Sequence, residues 1–300
     1  MEEPLFTVVV PATTANLGPG YDSVGLALSL YMTVQVQEAS EWNVHYDGEE
    51  YEGLATDETN LIIRTIQDVA GRFGKEVHPH ALRVTSDIPL GKGLGSSATA
   101  IAAGIEIANE LLDLSLSPKE KVQIGSGIEG HSDNVAAALL GGVTVAYFIE
   151  NELEVIQLPQ PVIGAVILVP PNALKTSESR GFLPRELPHS VASEGSAASN
   201  VMLTAIALGD WELAGKMMEK DIFHEQYRKS LLQDFDQLRA FCHELGTYGM
   251  TISGAGPSLF VAVKEGTQEE IAEQLEKEFP YYRAIAAIPS PIGSTIQKDA

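Results

Sequence analysis

The chain predicts an α+β fold in two halves, and three features carry that expectation. Short apolar runs of strand character alternate with longer stretches of helical spacing, without an internal repeat or low-complexity segment. Hydrophobic residues make up 44% of 300, at a mean hydropathy of +0.03, which suits a large buried core. A break between two domains, 1–157 and 158–300, falls where proline and glutamine interrupt the pattern at Gln157 to Pro161.

In order, Phe6 to Val10 reads as a strand stopped by Pro11, and Leu26 to Val36 as a second strand. Leu61, Ile62, Thr65, Ile66, Val69 and Phe73 have helical spacing, with Thr59 or Asn60 as the cap. Ala81 to Ser86 is a strand, and a helix runs from Ser96 to Leu112. Ser117 and Pro118 open another helix, and Asp133 to Leu140 is a short one stopped by Gly141 and Gly142. Val143 to Ile149 closes the first half as a strand. In the second half Val162 to Val169 is a strand ended by Pro170 and Pro171. Helices follow at Ala197 to Leu208, at Trp211 to Met218 with Asp210 as cap, and at Leu231 to Leu245. Thr247 to Ile252 and Ser258 to Val263 are strands joined by a tight turn. A Thr267–Glu270 capping box opens a helix to Phe279, and Ala284 to Ile288 is a final strand.

Charge narrows the function. The net charge is -22, from 19 basic and 41 acidic residues. So acidic a chain repels nucleic-acid phosphate and anionic membrane, and neither is an expected partner. A nucleotide stays open, because backbone amides, a few cations and Mg2+ can build a local anion site. The single cysteine, Cys242, excludes an internal disulfide and a cysteine-based zinc site, and its helical, apolar neighbours make it a buried thiol. The acidic, strand-like start is no signal peptide and no apolar run reaches spanning length, so a cytoplasmic location is expected.

The most informative segment is Pro89-Leu90-Gly91-Lys92-Gly93-Leu94-Gly95-Ser96-Ser97-Ala98-Thr99, leading into an alanine-rich helix. Glycines that free the backbone ahead of a helix N-terminus suit an anion, phosphate on a nucleotide first of all. The segment lacks the Gly-Lys-Ser/Thr ending of a Walker A loop and the glycine spacing of a dinucleotide fingerprint. A plain strand-to-helix turn is the alternative. One serine suffices to cap the helix, and the second then remains for phosphate or metal. Asn16 and Asp22, in the polar stretch 11–22, suit a substrate with an amine and a hydroxyl, or are Asx turns. Glu129, His131, Asp133 and Asn134 crowd before a short helix, where Asp133 or Ser132 would cap and Glu129 suits Mg2+ better than zinc. Arg180, after Thr176-Ser177-Glu178-Ser179, and Arg228, after His224, are arginines in a chain with few, fit to clamp carboxylate or phosphate. Ser253-Gly254-Ala255-Gly256-Pro257 is a hairpin turn or a prop for the first glycine loop.

Taken together, the glycine-serine loop, the stretch Pro11-Ala12-Thr13-Thr14-Ala15-Asn16-Leu17-Gly18-Pro19-Gly20-Tyr21-Asp22 and the late Gly-Ala-Gly-Pro turn resemble the GHMP family of small-molecule kinases. The resemblance runs from about residue 6 to 290, and is strongest toward the branch that phosphorylates L-homoserine. It implies a ribosomal-protein-S5-like first domain, a ferredoxin-like second domain and a site between them. It implies transfer of the ATP γ-phosphoryl group to the hydroxyl of L-homoserine, with Mg2+, by a homodimer, on the way to threonine. By resemblance Asn16, Asp22, His131, Thr176, Arg180 and Arg228 contact the acceptor, with Asp22 on its ammonium and the arginines on its carboxylate. Residues 89–99 cradle the phosphates and Asn60 meets the nucleoside. Ser97 and Glu129 face the metal; Gln123 stands where some relatives carry a metal-binding glutamate. Asn134 occupies the place of the aspartate base of other branches. With His131 and Arg180 it would act by positioning, the hydroxyl proton passing directly to the transferred phosphoryl group.

Overall fold

The computed structural model describes residues 4–48, 51–173 and 176–298. A first sheet is built on two long antiparallel strands, β1 (Phe6–Ala15) and β2 (Val24–Glu38). Pro11 does not stop β1. The register skips there, with Pro11 opposite Tyr31 and Ala12 opposite Leu28, so the bulge lies where the missing N–H breaks the ladder. β3 (Asn43–Tyr46) pairs in parallel with β4 (His80–Ser86), which pairs with β2. β5 (Val143–Ile149) pairs with β2 and forms a hairpin with β6 (Glu152–Gln157). Four helices cover one face: α1 (Leu61–Arg72), α2 (Ser96–Leu111), α3 (Pro118–Glu129) and α4 (Asp133–Leu140). Asn60 caps α1 through its side chain, and Ser117 with Glu120 forms a capping box on α3.

Helix α2 decides where the site lies. Its alanines and isoleucines are buried on every side, among α1, α3, α4 and β1. Gly104 lets α1 approach, since a Cβ there would lie 2.6 Å from the Thr65 side chain. A helix held all round delivers its N-terminus to one place.

The second sheet has the order β10-β7-β9-β8, from β7 (Gly164–Val169), β8 (Gly249–Ile252), β9 (Leu259–Val263) and β10 (Arg283–Ala287). Around it lie α5 (Thr176–Arg180), α6 (His189–Leu208), α7 (Trp211–Met218), α8 (Glu225–Arg228), α9 (Phe235–Glu244) and α10 (Gln268–Glu278). Its faces feed two cores. Ala165, Ile167, Phe260 and Ala262 join the core of the first sheet, while Val166, Leu168, Val261 and Val263 pack with Leu238, Cys242 and Leu275.

Several boundaries differ from the sequence reading. The helix expected from Ala197 begins at His189. The helix expected over Leu231 to Leu245 is split, because Asp234 takes a left-handed φ of 54° before Phe235. The capping box at Thr267 does not form: its hydroxyl donates to the Lys264 carbonyl instead. The expected domain break at 157/158 lies between β6 and β7. The chain end nevertheless returns to the first sheet, where β11 (Thr295–Gln297) pairs antiparallel with β1.

Candidate active site

The N-terminus of α2 opens into a pocket between the two sheets. Its cap is Gly95 at φ 68°, not a serine, and no side chain bonds the first-turn amides. A Cβ at Gly95 would lie 1.9 Å from the Thr13 hydroxyl, and one at Gly93, φ 76°, 2.4 Å from the Ser253 carbonyl. Both positions therefore require glycine. With no cap, the first amides of α2 and the positive end of its dipole face the pocket. Ser96 and Ser97 line it, and the Ser97 hydroxyl donates to Glu129 Oε2 at 2.9 Å.

The rest of the expected phosphate segment divides by placement. Gly91, Gly93 and Gly95 line the pocket. Leu94 and Ala98 are core residues, 1% and 0% exposed, and touch an anion only through backbone. Pro89 and Lys92 line a separate cleft, where Lys92 Nζ donates to the carbonyls of Pro170 (2.8 Å) and Pro171 (2.7 Å). Lys92 is thus a strap to the second sheet, and burial pushes its pKa down. The second glycine turn completes the brace: Ser253 Oγ donates to the Gly93 carbonyl at 2.7 Å and Gly254 N to the Ala15 carbonyl.

Across from α2 lies a second wall of the pocket. Asn16, Leu17 and Asp22 all have positive φ, so the turn between β1 and β2 is tightly folded. Asn16 holds it, accepting from the Asp22 amide (3.0 Å) and donating to the Gly254 carbonyl (2.9 Å). Arg180 grips Asp22 with both nitrogens, at 2.7 and 3.0 Å, and donates to the Tyr21 hydroxyl at 3.0 Å. The hydrogen bonds to Asp22 hold the guanidinium pKa up against burial. Arg228 is 2% exposed, and its contacts are the carbonyls of Gly254 (3.3 Å) and Ser179 (3.4 Å) and the Tyr21 ring. Burial pushes its pKa down. The Thr176 side chain lies outside the described residues.

The third wall is the start of α4. His131 Nδ1 donates to Asp133 Oδ1 at 2.6 Å, and Asn134 N donates to the same oxygen at 2.7 Å. Burial opposes charge on His131, but the Asp133 hydrogen bond and the charges of Asp133 and Glu129 outweigh it and raise the pKa. Asn134 Oδ1 accepts from the Thr13 hydroxyl at 2.7 Å. Asp133 is the residue that sequence reasoning undervalued. The sequence offers it only as a cap, yet its buried carboxylate organises this wall. Its signal was its place between a histidine and an asparagine. Tyr21 was missed as well, and its ring carries both arginines.

Two groups of side chains offer ligand atoms to a cation, one of mixed nitrogen and oxygen donors and one of oxygen alone. Asp22, His131 and Asp133 have ligand atoms within 4.8 Å of one another, but Arg180, His131 and Asn134 already occupy the carboxylates. Ser97 and Glu129 form a hard-oxygen pair beside the start of α2, with no lysine or arginine bonded to Glu129 among the described residues. That donor set fits Mg2+. Gln123 is outside the pocket, its amide donating to the Asn151 carbonyl.

A second cleft of about 330 Å3 shares Ser96 and Ser97 with the pocket. Met32, Val84, Leu90 and the stacked rings of Tyr46 and Tyr51, 5.5 Å apart, make it apolar. Asn60 reaches this cleft with its amide already engaged: Nδ2 donates to Tyr46 and Ala55, and Oδ1 caps α1. A base would meet aromatic and aliphatic surface here more than a free amide.

The models for the GHMP kinases N terminal domain and the GHMP kinases C terminal domain match residues 60–142 and 202–280. The chain belongs to the GHMP kinase family. It is similar to the homoserine kinase of Bacillus cereus, 46% identical over 91% of this chain and 90% of the relative. The homoserine kinase of Bacillus velezensis is 41% identical over 99% and 96%. The crystal structure of homoserine kinase from Cytophaga hutchinsonii superposes with a TM-score of 0.86 at 26% identity, covering 99% of this chain and 98% of that one.

Proposed function

We propose that this chain is a homoserine kinase: it transfers the γ-phosphoryl group of ATP to the side-chain hydroxyl of L-homoserine, giving O-phospho-L-homoserine. The observation that carries the reading is that two arginines and a carboxylate, Arg228, Arg180 and Asp22, line the same pocket as the uncapped start of α2. A zwitterionic acceptor answers both charges at once. Arg228, with no carboxylate bonded to it among the described residues, binds the acceptor carboxylate, and Asp22 turns from Arg180 toward the ammonium. A sugar or simple alcohol leaves Arg228 unanswered.

The nucleoside occupies the apolar cleft, and the phosphates run past Ser96 and Ser97 to the amides of α2. Ser97 and Glu129 would hold Mg2+, which would neutralise phosphate charge there. The acceptor hydroxyl lies near Asn134, whose amide is oriented by Thr13 and has no basicity to take a proton. The proton goes to the phosphoryl oxygen as the new O–P bond forms and the bond from the γ-phosphorus to the bridging oxygen breaks, releasing ADP, while fixed dipoles and cations stabilise the developing charge. No helix among the described residues is long and apolar enough to cross a membrane. We infer a cytoplasmic enzyme working as a homodimer, as the resemblance implies. Calorimetric titration with L-homoserine and with homoserinol, which lacks the carboxylate, tests the reading. L-homoserine should bind at least tenfold tighter (about 1.4 kcal/mol); equal affinities would contradict it.

A further inference from the structure

One buried imidazole has no part in this chemistry. His224 is 0% exposed and sits behind Tyr21, with ring centroids 5.5 Å apart. Its Nε2 lies 3.2 Å from the Gly18 carbonyl and 3.3 Å from Asp221 Oδ2, and its Nδ1 has no hydrogen-bond partner among the described residues. Asp221 already accepts three backbone amides, from Phe223, His224 and Glu225, so the Gly18 carbonyl is the acceptor that most needs a donor. Gly18 sits in the turn that bears Asn16, Tyr21 and Asp22. That turn has no slack: φ at Gly18 is 82°, and a Cβ there would lie 2.0 Å from the Met218 carbonyl.

We propose that His224 is a positioning residue for the acceptor site, tying the turn that carries Tyr21 and Asp22 to the segment that carries Arg228. The proposal rests on the homoserine kinase reading only for its substrate. In the neutral Nε2–H form, His224 donates to Gly18 and presents its ring to the back of Tyr21. Tyr21 in turn is the surface on which Arg180 and Arg228 rest, each guanidinium carbon 5.7 Å from its ring centroid. Arg228 stands on the same segment as His224, while Asp221 and Asp22 are the acidic groups near it. Burial pushes the His224 pKa down, which keeps a third cation from the two arginines. A phenylalanine would fill the space but leave the Gly18 carbonyl unpaired.

Three variants separate positioning from bulk: His224→Phe, His224→Gln and His224→Ala. Each is assayed for KM of both substrates, for kcat and for Tm. We expect His224→Phe to raise the acceptor KM about tenfold, with the ATP KM and kcat nearly unchanged. His224→Gln, whose amide N–H reaches the same carbonyl, should recover most of that loss, and His224→Ala should be worst. Parallel rises in both KM values, or Gln and Phe variants that behave alike, would overturn the proposal. Wild-type chain is run beside them with L-homoserine, L-serine and L-threonine. If it uses an acceptor other than L-homoserine, the substrate reading fails and the KM split is measured on that acceptor instead. Nitrogen NMR of the unliganded wild-type chain needs no substrate. A neutral His224 ring protonated at Nε2 is expected, and a charged ring or an Nδ1–H tautomer would refute it.

Discussion

Arg228 is buried, and among the described residues its hydrogen bonds to backbone are to carbonyls and no carboxylate is bonded to it. Burying a guanidinium costs several kcal/mol unless something pairs with it, which favours a carboxylate ligand for Arg228. Replacing it with glutamine should lower kcat/KM for L-homoserine by about a hundredfold through the acceptor KM, while the ATP KM stays within twofold, as steady-state kinetics would show. The Asp22–Arg180 pair is a different case. With side chains 38% and 36% exposed it adds at most about 1 kcal/mol of stability, and it opens at small cost when a zwitterion arrives. The residue types at 22, 180 and 228 were readable in the sequence as carboxylate and guanidinium in polar segments. Their pairing across the fold was not, because nothing local in the chain says that Arg180 reaches Asp22. Cys242 is the converse case: a helical, apolar neighbourhood foretold a buried thiol, and burial pushes its pKa to about 12. Iodoacetamide should leave it unmodified in the native chain and label it only on unfolding, followed by mass spectrometry.

At the scale of elements, α2 and its glycine entrance are the functional unit. The helix is locked on all sides, and Gly95 supplies the conformation that leaves its first amides uncapped. Gly95→Ala forces a left-handed alanine against Thr13, which itself orients Asn134. It should destabilise the chain by more than about 1 kcal/mol in denaturant titration and raise the ATP KM as well. An unchanged ATP KM would separate the loop from the nucleotide. This element was legible because glycines before an apolar helical run have a strong local cause. β3, β6 and β11 were not. They are short and half exposed, β3 and β6 at the edge of the sheet and β11 brought there from the end of the chain, so their pairing rather than their composition makes them strands. Pro11 misled for a related reason: a proline stops a ladder only where its N–H is needed, and a bulge removes that need.

Over the whole molecule, the two sheets are one mechanical body. Alternate residues of β7 and β9 enter different cores, β11 returns to β1, and Lys92 and Ser253 stitch the glycine loop to the second sheet. Calorimetry should therefore show one cooperative transition rather than one per half, and two resolved transitions would mean that the shared core is weak. Saturating ATP and Mg2+ should raise its midpoint, with about 2.7 kcal/mol of stabilisation at a hundredfold excess over Kd. The same joint places α2, the arginines and the His131–Asn134 wall around one pocket, and the acceptor used there decides the function. The most direct measurement is phosphorus NMR of the wild-type chain with ATP, Mg2+ and L-homoserine, beside L-serine, L-threonine and mevalonate. The account predicts a phosphomonoester resonance of O-phospho-L-homoserine that needs both ATP and Mg2+, with little or no ester from the other acceptors. ATP bound but no ester from L-homoserine, or a faster ester from mevalonate, would contradict it.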